Sequence, residues 1–161
     1  FTSRPVTFVD TAGAGFDEAW NDLLESRENK GEAELAVKIL RELLESGMKP
    51  KDVAILTPYV AQAKLLKTLV RESGLEIGSV DGFQGREKEA VILSLVRSNE
   101  GGRIGFLSDM RRLNVAITRA RRCLVVVGDS ATIARHPVYQ KFIVHADALD
   151  CHRSAYEWMP G

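Results

Sequence analysis

The chain has little of several things that would organise a fold from outside. Two cysteines in 161 residues, Cys123 inside an apolar run and Cys151 near the end, with no Cys-x-x-Cys pair, argue against a disulfide framework or a thiolate zinc site and fit a reducing, intracellular setting. No apolar stretch approaches the roughly 18–20 residues that span a bilayer, and no basic-then-apolar leader opens the chain, so no membrane partner is expected. Charge of neither sign is in excess. With 22 Lys+Arg against 22 Asp+Glu there is no global positive field, which argues against a histone-like or tail-type binder; any contact with nucleic acid must come from a local basic patch. Repeats and low-complexity segments are absent. So is any GxxxxGK[ST] loop, or even a Gly-Lys step, and so is an acidic box of the DEAA kind.

What is present fits one domain, since domains cluster near roughly 100–150 residues. The sequence starts at Phe1, without an initiator methionine, and runs almost at once into strand-like TFVD; it is expected to be a piece of a longer protein. Short β-rich runs at Val6–Asp10, Val53–Leu56, Glu76–Val80, Ala90–Val96 and Leu124–Val127 alternate with amphipathic segments. That alternation predicts an α/β fold with a mainly parallel sheet flanked by helices on both faces. Asn29 followed by Glu32 has the spacing of a capping box, and Leu35, Ile39, Leu40, Leu43 and Leu44 behind it give one apolar helical face that Gly47 and Pro50 end. A second helix is expected from about Val60 to Ser73, and a weaker one over Phe16–Ser26, where Trp20, Leu23 and Leu24 fall at helical spacing. The link from Val80 to Ala90 is short for a parallel crossover and holds either one helical turn or a change of direction. The residues after Asp129 read as one or two closing helices, and the tail CHRSAYEWMPG shows no readable pattern.

Two stretches carry chemistry. In Asp81–Glu89, Gly82 and Gly85 permit close ligand approach while Gln84, Arg86 and Glu87 supply polar groups, which suits a phosphate- or ribose-facing loop or, equally, a solvated surface turn. From Asp109 onward, Met110, Leu113, Ile117 and Ala120 fall on one helical face, and Arg112 and Arg119 fall together on nearly the opposite side with small Ala116 between them. Paired guanidiniums suit bidentate phosphate contact, or form a solvated basic face. His145, Cys151 and His152 have poor ligand spacing, and no metal site is expected of them. DTAG at Asp10–Gly13 and NKGE at Asn29–Glu32 mimic GTPase motifs, but no phosphate-binding loop precedes the first and the second lacks its Asp.

DGFQGREKEAVILSLVRSN and then GFLSDMRRLNVAITRARR resemble motifs V and VI of superfamily 1 helicases, in the branch containing the nonsense-mediated-decay helicase and immunoglobulin-mu-binding protein 2, and ILTPYVAQ resembles motif IV. The likeness covers about Asn29 to Asp129; TAGAGFDEAW and the tail after His136 do not follow the pattern. It implies the second (C-terminal) RecA-like motor domain, residues 1–161, of an ATP-dependent helicase, moving 5′ to 3′ on single-stranded RNA or DNA. It also implies that ATP with Mg²⁺ is held mainly by a first RecA-like domain outside this chain. Arg119, in ITRAR, matches the arginine finger that reaches the γ-phosphate. Glu87 matches the acid near the nucleotide ribose, and Gln84 and Gly85 match the loop beside the phosphates. Arg112 and Arg122 match positions that brace the site or meet the other domain. Pro58, Tyr59, Gln62, Ser79 and Val80 correspond to the side that grips the strand, and Asn99, in VRSN, to the loop between the two functions. Without a lysine-bearing phosphate cradle the chain by itself is expected to hydrolyse no ATP. The rival reading is a non-catalytic nucleic-acid-binding or regulatory module that keeps the motifs as scaffold.

Overall fold

In the computed structural model, residues 1, 3–83 and 86–160 are described. The first apolar run, VTFVD, forms strand β1 (Val6–Asp10). A hairpin of β2 (Ala19–Asn21) and β3 (Ser26–Glu28) follows, then helix α1 (Lys30–Glu45), β4 (Val53–Thr57), α2 (Val60–Leu69), β5 (Glu76–Ser79) and β6 (Lys88–Ser94). The chain continues through α3 (Met110–Ile117), β7 (Ala120–Gly128), short α4 (Ser130–Ile133), α5 (Pro137–Ala148) and β8 (His152–Ser154). The main sheet has six strands in the order β5-β4-β6-β7-β1-β8, and every pairing in it is parallel. The expected α/β, RecA-like arrangement is what forms.

Such a sheet must be covered on both sides, because its strands alternate apolar residues between two faces. Val53, Ile55, Ala90, Ile92, Val125 and Val127 face α1 and α2, where Ile39, Leu40, Leu43 and Leu66 meet them. Ala54, Leu56, Val91, Leu93, Leu124 and Val126 face the other way, against Val80 and Phe83 of the crossover, Leu113 and Ala116 of α3, and Tyr139 of α5. Gly47, at φ 108, ends α1 where a glycine was expected to. Among the described residues no helix is long and apolar enough to cross a membrane.

Two expectations need correction, and two segments left open by the sequence take definite form. Phe16–Ser26 is not a helix: Asn21 starts a turn by accepting from the Leu24 N–H at 3.0 Å and donating to Glu28 at 2.9 Å, Glu25 adopts φ 47, and the strands pair antiparallel. Leu23 is 97% exposed and Trp20 52%, so the helical spacing of those residues has no core to face. Helix α2 stops at Leu69; Val70 turns extended yet stays against the core, and Gly74 at φ 91 redirects the chain. The short link after β5 keeps the strands parallel and holds one 3-10 turn, Val80–Gly82, whose Val80 and neighbouring Phe83 are buried over the sheet. The patternless tail adds β8 at the sheet edge beside β1, with Phe8 paired to His152.

Ile92 lies fully buried in β6, between β4 and β7. Ile92→Ala is expected to lower unfolding free energy by about 2–5 kcal/mol, seen as a lower urea midpoint with unchanged denaturant slope.

Candidate functional site

Polar groups gather at the two ends of the strands. At the amino end, the Lys88 N–H donates to the Arg119 carbonyl at 2.8 Å, so Glu87 and Arg119, distant in sequence, flank one backbone bond where β6 and β7 begin. Strand pairing captures the chain there, and this decides the shape of the arginine segment. α3 ends at Ile117, so Arg119 lies beyond the helix; the expected face with Arg112 and Arg119 parallel across Ala116 does not form, Ala116 is fully buried and Ile117 is 43% exposed. The Arg119 guanidinium folds back over the C-terminal turn, donating from Nε to the Val115 carbonyl at 3.1 Å and from Nη2 to Thr118 Oγ1 at 3.2 Å. Among the described residues it forms no ion pair.

Its neighbours do. Arg121 meets Glu87 at 3.1 Å and Glu89 at 3.4 Å, and both carboxylates raise its pKa. Arg122 lies 3.9 Å from Glu89, and Arg112 lies 3.4 and 3.5 Å from Asp81 and Asp109. Arg119 is thus partly buried, held in place by neutral acceptors and charged without a counter-ion, which suits it to an incoming phosphate. Gln84 and Gly85 lie outside the described residues. Among the described residues no group of three or more His, Cys, Asp or Glu side chains is arranged to hold a metal ion; His152 Nε2 instead sits 2.9 Å from Asp10 Oδ2.

Pro58, Tyr59, Gln62, Ser79, Val80 and Asn99 come together at the opposite, carboxyl end, after β4, β5 and β6. Four of these are buried: Pro58, Tyr59, Gln62 and Val80. The Gln62 amide joins the Asn29 backbone to Ser94 Oγ, and the Tyr59 hydroxyl bridges Ile104 O and Arg97. Ser79 and Asn99 stay half-exposed; Ser79 Oγ accepts from the Gly82 N–H, and Asn99 grips Arg103 through both ends of its amide. Glu18 and Arg97 were not marked by any sequence signal, Glu18 falling in the segment outside the motif pattern. Yet Glu18 is a hub, accepting from Arg97 Nε at 2.9 Å, Arg27 at 3.0 Å, the Ser98 N–H at 2.9 Å and Asn99 Nδ2 at 2.7 Å. Burial pushes its carboxyl up, but the hydrogen bonds from Arg97, Asn99 and Ser98 outweigh this and hold it below the ordinary range. Gly105, at φ 50, makes room: a Cβ there would stand 2.1 Å from Arg97 Nη1.

Beneath these loops lies Glu32, completely buried. The capping box forms by half. Asn29 Oδ1 accepts from the Glu32 N–H at 3.0 Å, but Glu32 does not reach back, because Gln62 already takes the Asn29 N–H. Glu32 Oε1 instead accepts from Ser94 Oγ at 2.6 Å and from the Val96 N–H at 2.8 Å, while Oε2 has no partner among the described residues. Asn29 Nδ2 donates to the Val96 carbonyl at 3.0 Å, so Val96 is clamped on both sides at φ 72. A β-branched residue resists that conformation by roughly 1–2 kcal/mol. Burial pushes the Glu32 carboxyl up to about 7, against the opposing bonds from Ser94 and the backbone.

With this geometry in view, the comparisons with known proteins are specific. The family model described as "AAA domain" matches residues 1–131. The chain is 42% identical over 160 residues to DNA-binding protein SMUBP-2 of Rattus norvegicus, which covers 98% of this chain and 16% of that protein. It is 47% identical over 139 residues to DNA polymerase alpha-associated DNA helicase A of Schizosaccharomyces pombe, covering 82% and 21%. It is 40% identical over 132 residues to the regulator of nonsense transcripts 1 homolog of Neurospora crassa, covering 76% and 12%. The chain thus spans a small part of the length of each of these relatives.

The raised Glu32 pKa sets a pH dependence. The folded state holds this proton more tightly than the unfolded chain, so the contribution is complete below about 4.5 and is lost as pH rises through about 7. Across that window it is worth on the order of 3 kcal/mol. Glu32→Gln keeps an acceptor for Ser94 and Val96 without a charge; in urea titrations between about pH 5 and 8, a window that crosses the folded-state value of about 7, its stability is expected to fall less with rising pH than that of the parent. Parallel curves for the two proteins would refute the assignment.

Proposed function

The chain belongs to the AAA domain family and, within it, to the SMUBP-2-like branch of superfamily 1 helicases, and on that premise we propose that it is the second of two RecA-like motor domains of an ATP-dependent nucleic-acid helicase. In this reading Arg119 reaches the γ-phosphate of ATP held, with Mg²⁺, by a first RecA-like domain. Glu87 faces the ribose once it leaves Arg121, and Gln84 and Gly85 lie beside the phosphates. Single-stranded nucleic acid passes over the other end of the sheet. Ser79 and Asn99 offer side chains to it and the chain around Pro58 and Tyr59 offers backbone, while buried Gln62 and Val80 keep those loops in shape.

The observation that carries the reading is the uncompensated Arg119 guanidinium at the start of β7. A cation parked on neutral acceptors, with no anion paired to it among the described residues, is held ready for an incoming one, and a guanidinium delivered to a transferring phosphoryl group stabilises its developing charge. Mechanical coupling follows from the strands. β6 runs from Lys88, beside Glu87 and Arg119, to Ser94, beside the Asn99 loop, a seven-residue span of about 20 Å. When ATP draws the Arg119 edge toward the first domain, the packed sheet moves as a unit and the strand-facing loops shift with it; hydrolysis releases the closure.

In a polypeptide containing the first domain and this chain, Arg119→Ala is expected to lower strand-stimulated ATP turnover by about 10³–10⁵ in kcat, with strand affinity in the absence of nucleotide little changed. Turnover surviving the substitution would remove the assigned role, whereas weak turnover in the parent polypeptide would favour a non-catalytic module.

A further inference from the structure

The loop between β6 and α3 shows one large aromatic side chain to water. In the turn Gly105–Ser108, Leu107 is fully buried and takes a hydrogen bond from Tyr139 Oη on its carbonyl, and Ile104 just before it is 6% exposed. These two anchor the turn. Phe106 points outward and is 51% exposed, so the core does not require it.

The ring is nevertheless built in. It lies 5.3 Å from the Tyr59 ring at an interplanar angle of 32°, and Tyr59 is itself immobilised, 3% exposed and bonded to Ile104 and Arg97. The Arg112 guanidinium lies over the Phe106 ring, Cζ 4.9 Å from its centroid. Arg112 is held there loosely. Its ion pairs with Asp81 and Asp109, at 3.4 and 3.5 Å, involve carboxylates that are 60% and 46% exposed, and exposed pairs of this kind contribute little. Asp81 belongs to the turn that Ser79 caps, so the ring borders the proposed strand-facing end. Arg103 on the same loop, Arg111 beside Arg112, and Arg135, whose side chain packs on Gly102, are exposed and form no ion pair among the described residues. A chain of no net charge thus carries, on and beside the loop that holds this exposed ring, arginines with no ion pair among the described residues, and an aromatic face with nearby cations is the combination that holds single strands by stacking and phosphate contact.

We propose that Phe106 is a base-stacking platform for single-stranded nucleic acid, on which an incoming base replaces the Arg112 guanidinium while Arg112 turns to a backbone phosphate. The inference rests on the strand-binding reading above and adds to it a residue and a mode of contact. Guanidinium and base are both flat and both stack on an aromatic face, so the exchange preserves the contact on the ring while the cation gains an anion. Stacking of this kind tolerates any base, because every base offers a π-face.

The test is fluorescence anisotropy of a polypeptide containing the first domain and this chain, with labelled oligo-dT and oligo-U of about 12 nucleotides, within the site sizes of single-strand binders, over a series of salt concentrations. Phe106→Ala is expected to weaken binding about 5- to 150-fold without changing the salt slope. Phe106→Leu, which keeps apolar packing but has no π-face, is expected to lose comparably. Phe106→Trp is expected to bind like the parent, with indole fluorescence quenched by the strand. Arg112→Ala is expected to reduce the salt slope by about one. Thermal melts of each variant show whether it folds. If the parent binds and Phe106→Leu matches it within twofold, the platform is overturned and the strand-binding reading stands, with the patch left to a protein partner. If the parent binds neither oligonucleotide, both readings fall.

Discussion

A parallel sheet covered on both faces leaves its polar groups two places to emerge, and in this chain that constraint separates two chemistries. Interior strands such as VAILT and AVILS are buried along their whole length, so no charged side chain stands on either face of the sheet along these two segments. Arg119 and Glu87 are confined to the amino end of β6 and β7, and the Ser79 and Asn99 loops to the carboxyl end. Open α/β sheets commonly collect ligands at the carboxyl ends of their strands. Here Arg119, the arginine proposed to reach the γ-phosphate, sits at the other end of the strands.

The carboxyl end is held from below by a carboxyl group sealed from water. Glu32, Asn29, Gln62 and Ser94 form one buried network, and its main product is the conformation of Val96, clamped at both its N–H and its carbonyl. From Val96 the chain enters Arg97, Ser98 and Asn99, which gather on Glu18. A left-handed β-branched residue is stored strain, and the network that imposes it fixes the direction in which the next three residues leave the sheet. Two motif segments and a helix start converge in it: Gln62 from motif IV, Ser94 and Val96 from motif V, and the beginning of α1, which carries Asn29 and Glu32.

Much of this was legible in the sequence. The runs VTFVD, VAILT and AVILSLV are mostly apolar and β-rich, which is what a strand buried on two faces requires, and the periodic leucines of α1 needed no tertiary information. The hairpin at Ala19–Glu28 was not legible, because Trp20, Leu23 and Leu24 have helical spacing but face solvent, and the Asn21 turn decides the matter. β8 was hidden because an edge strand with one neighbour can be short and polar, as His152–Ser154 is. Glu32 was misread in part: its spacing from Asn29 gave the backbone half of a cap correctly, but the side chain answered to Ser94 and Val96, far away in sequence.

The sequence by itself determined the alternation of strands and helices, the family through the motifs from ILTPYVAQ to ITRARR, and the identity of the arginine and acid that flank the first residues of β7 and β6. These depend on local periodicity and on residue types at fixed spacings, which the chain carries wherever it is folded. Only the tertiary structure decided that Arg119 stands outside its helix with no ion pair among the described residues, that Gln62 and Val80 turn inward, that Glu18 collects the Asn99 loop, and that Phe106 is left in water beneath the Arg112 guanidinium. Each of these is set by which distant group arrives first at a backbone donor or a charged side chain. Such competition is resolved by packing across the sheet, and no interval along the chain encodes it.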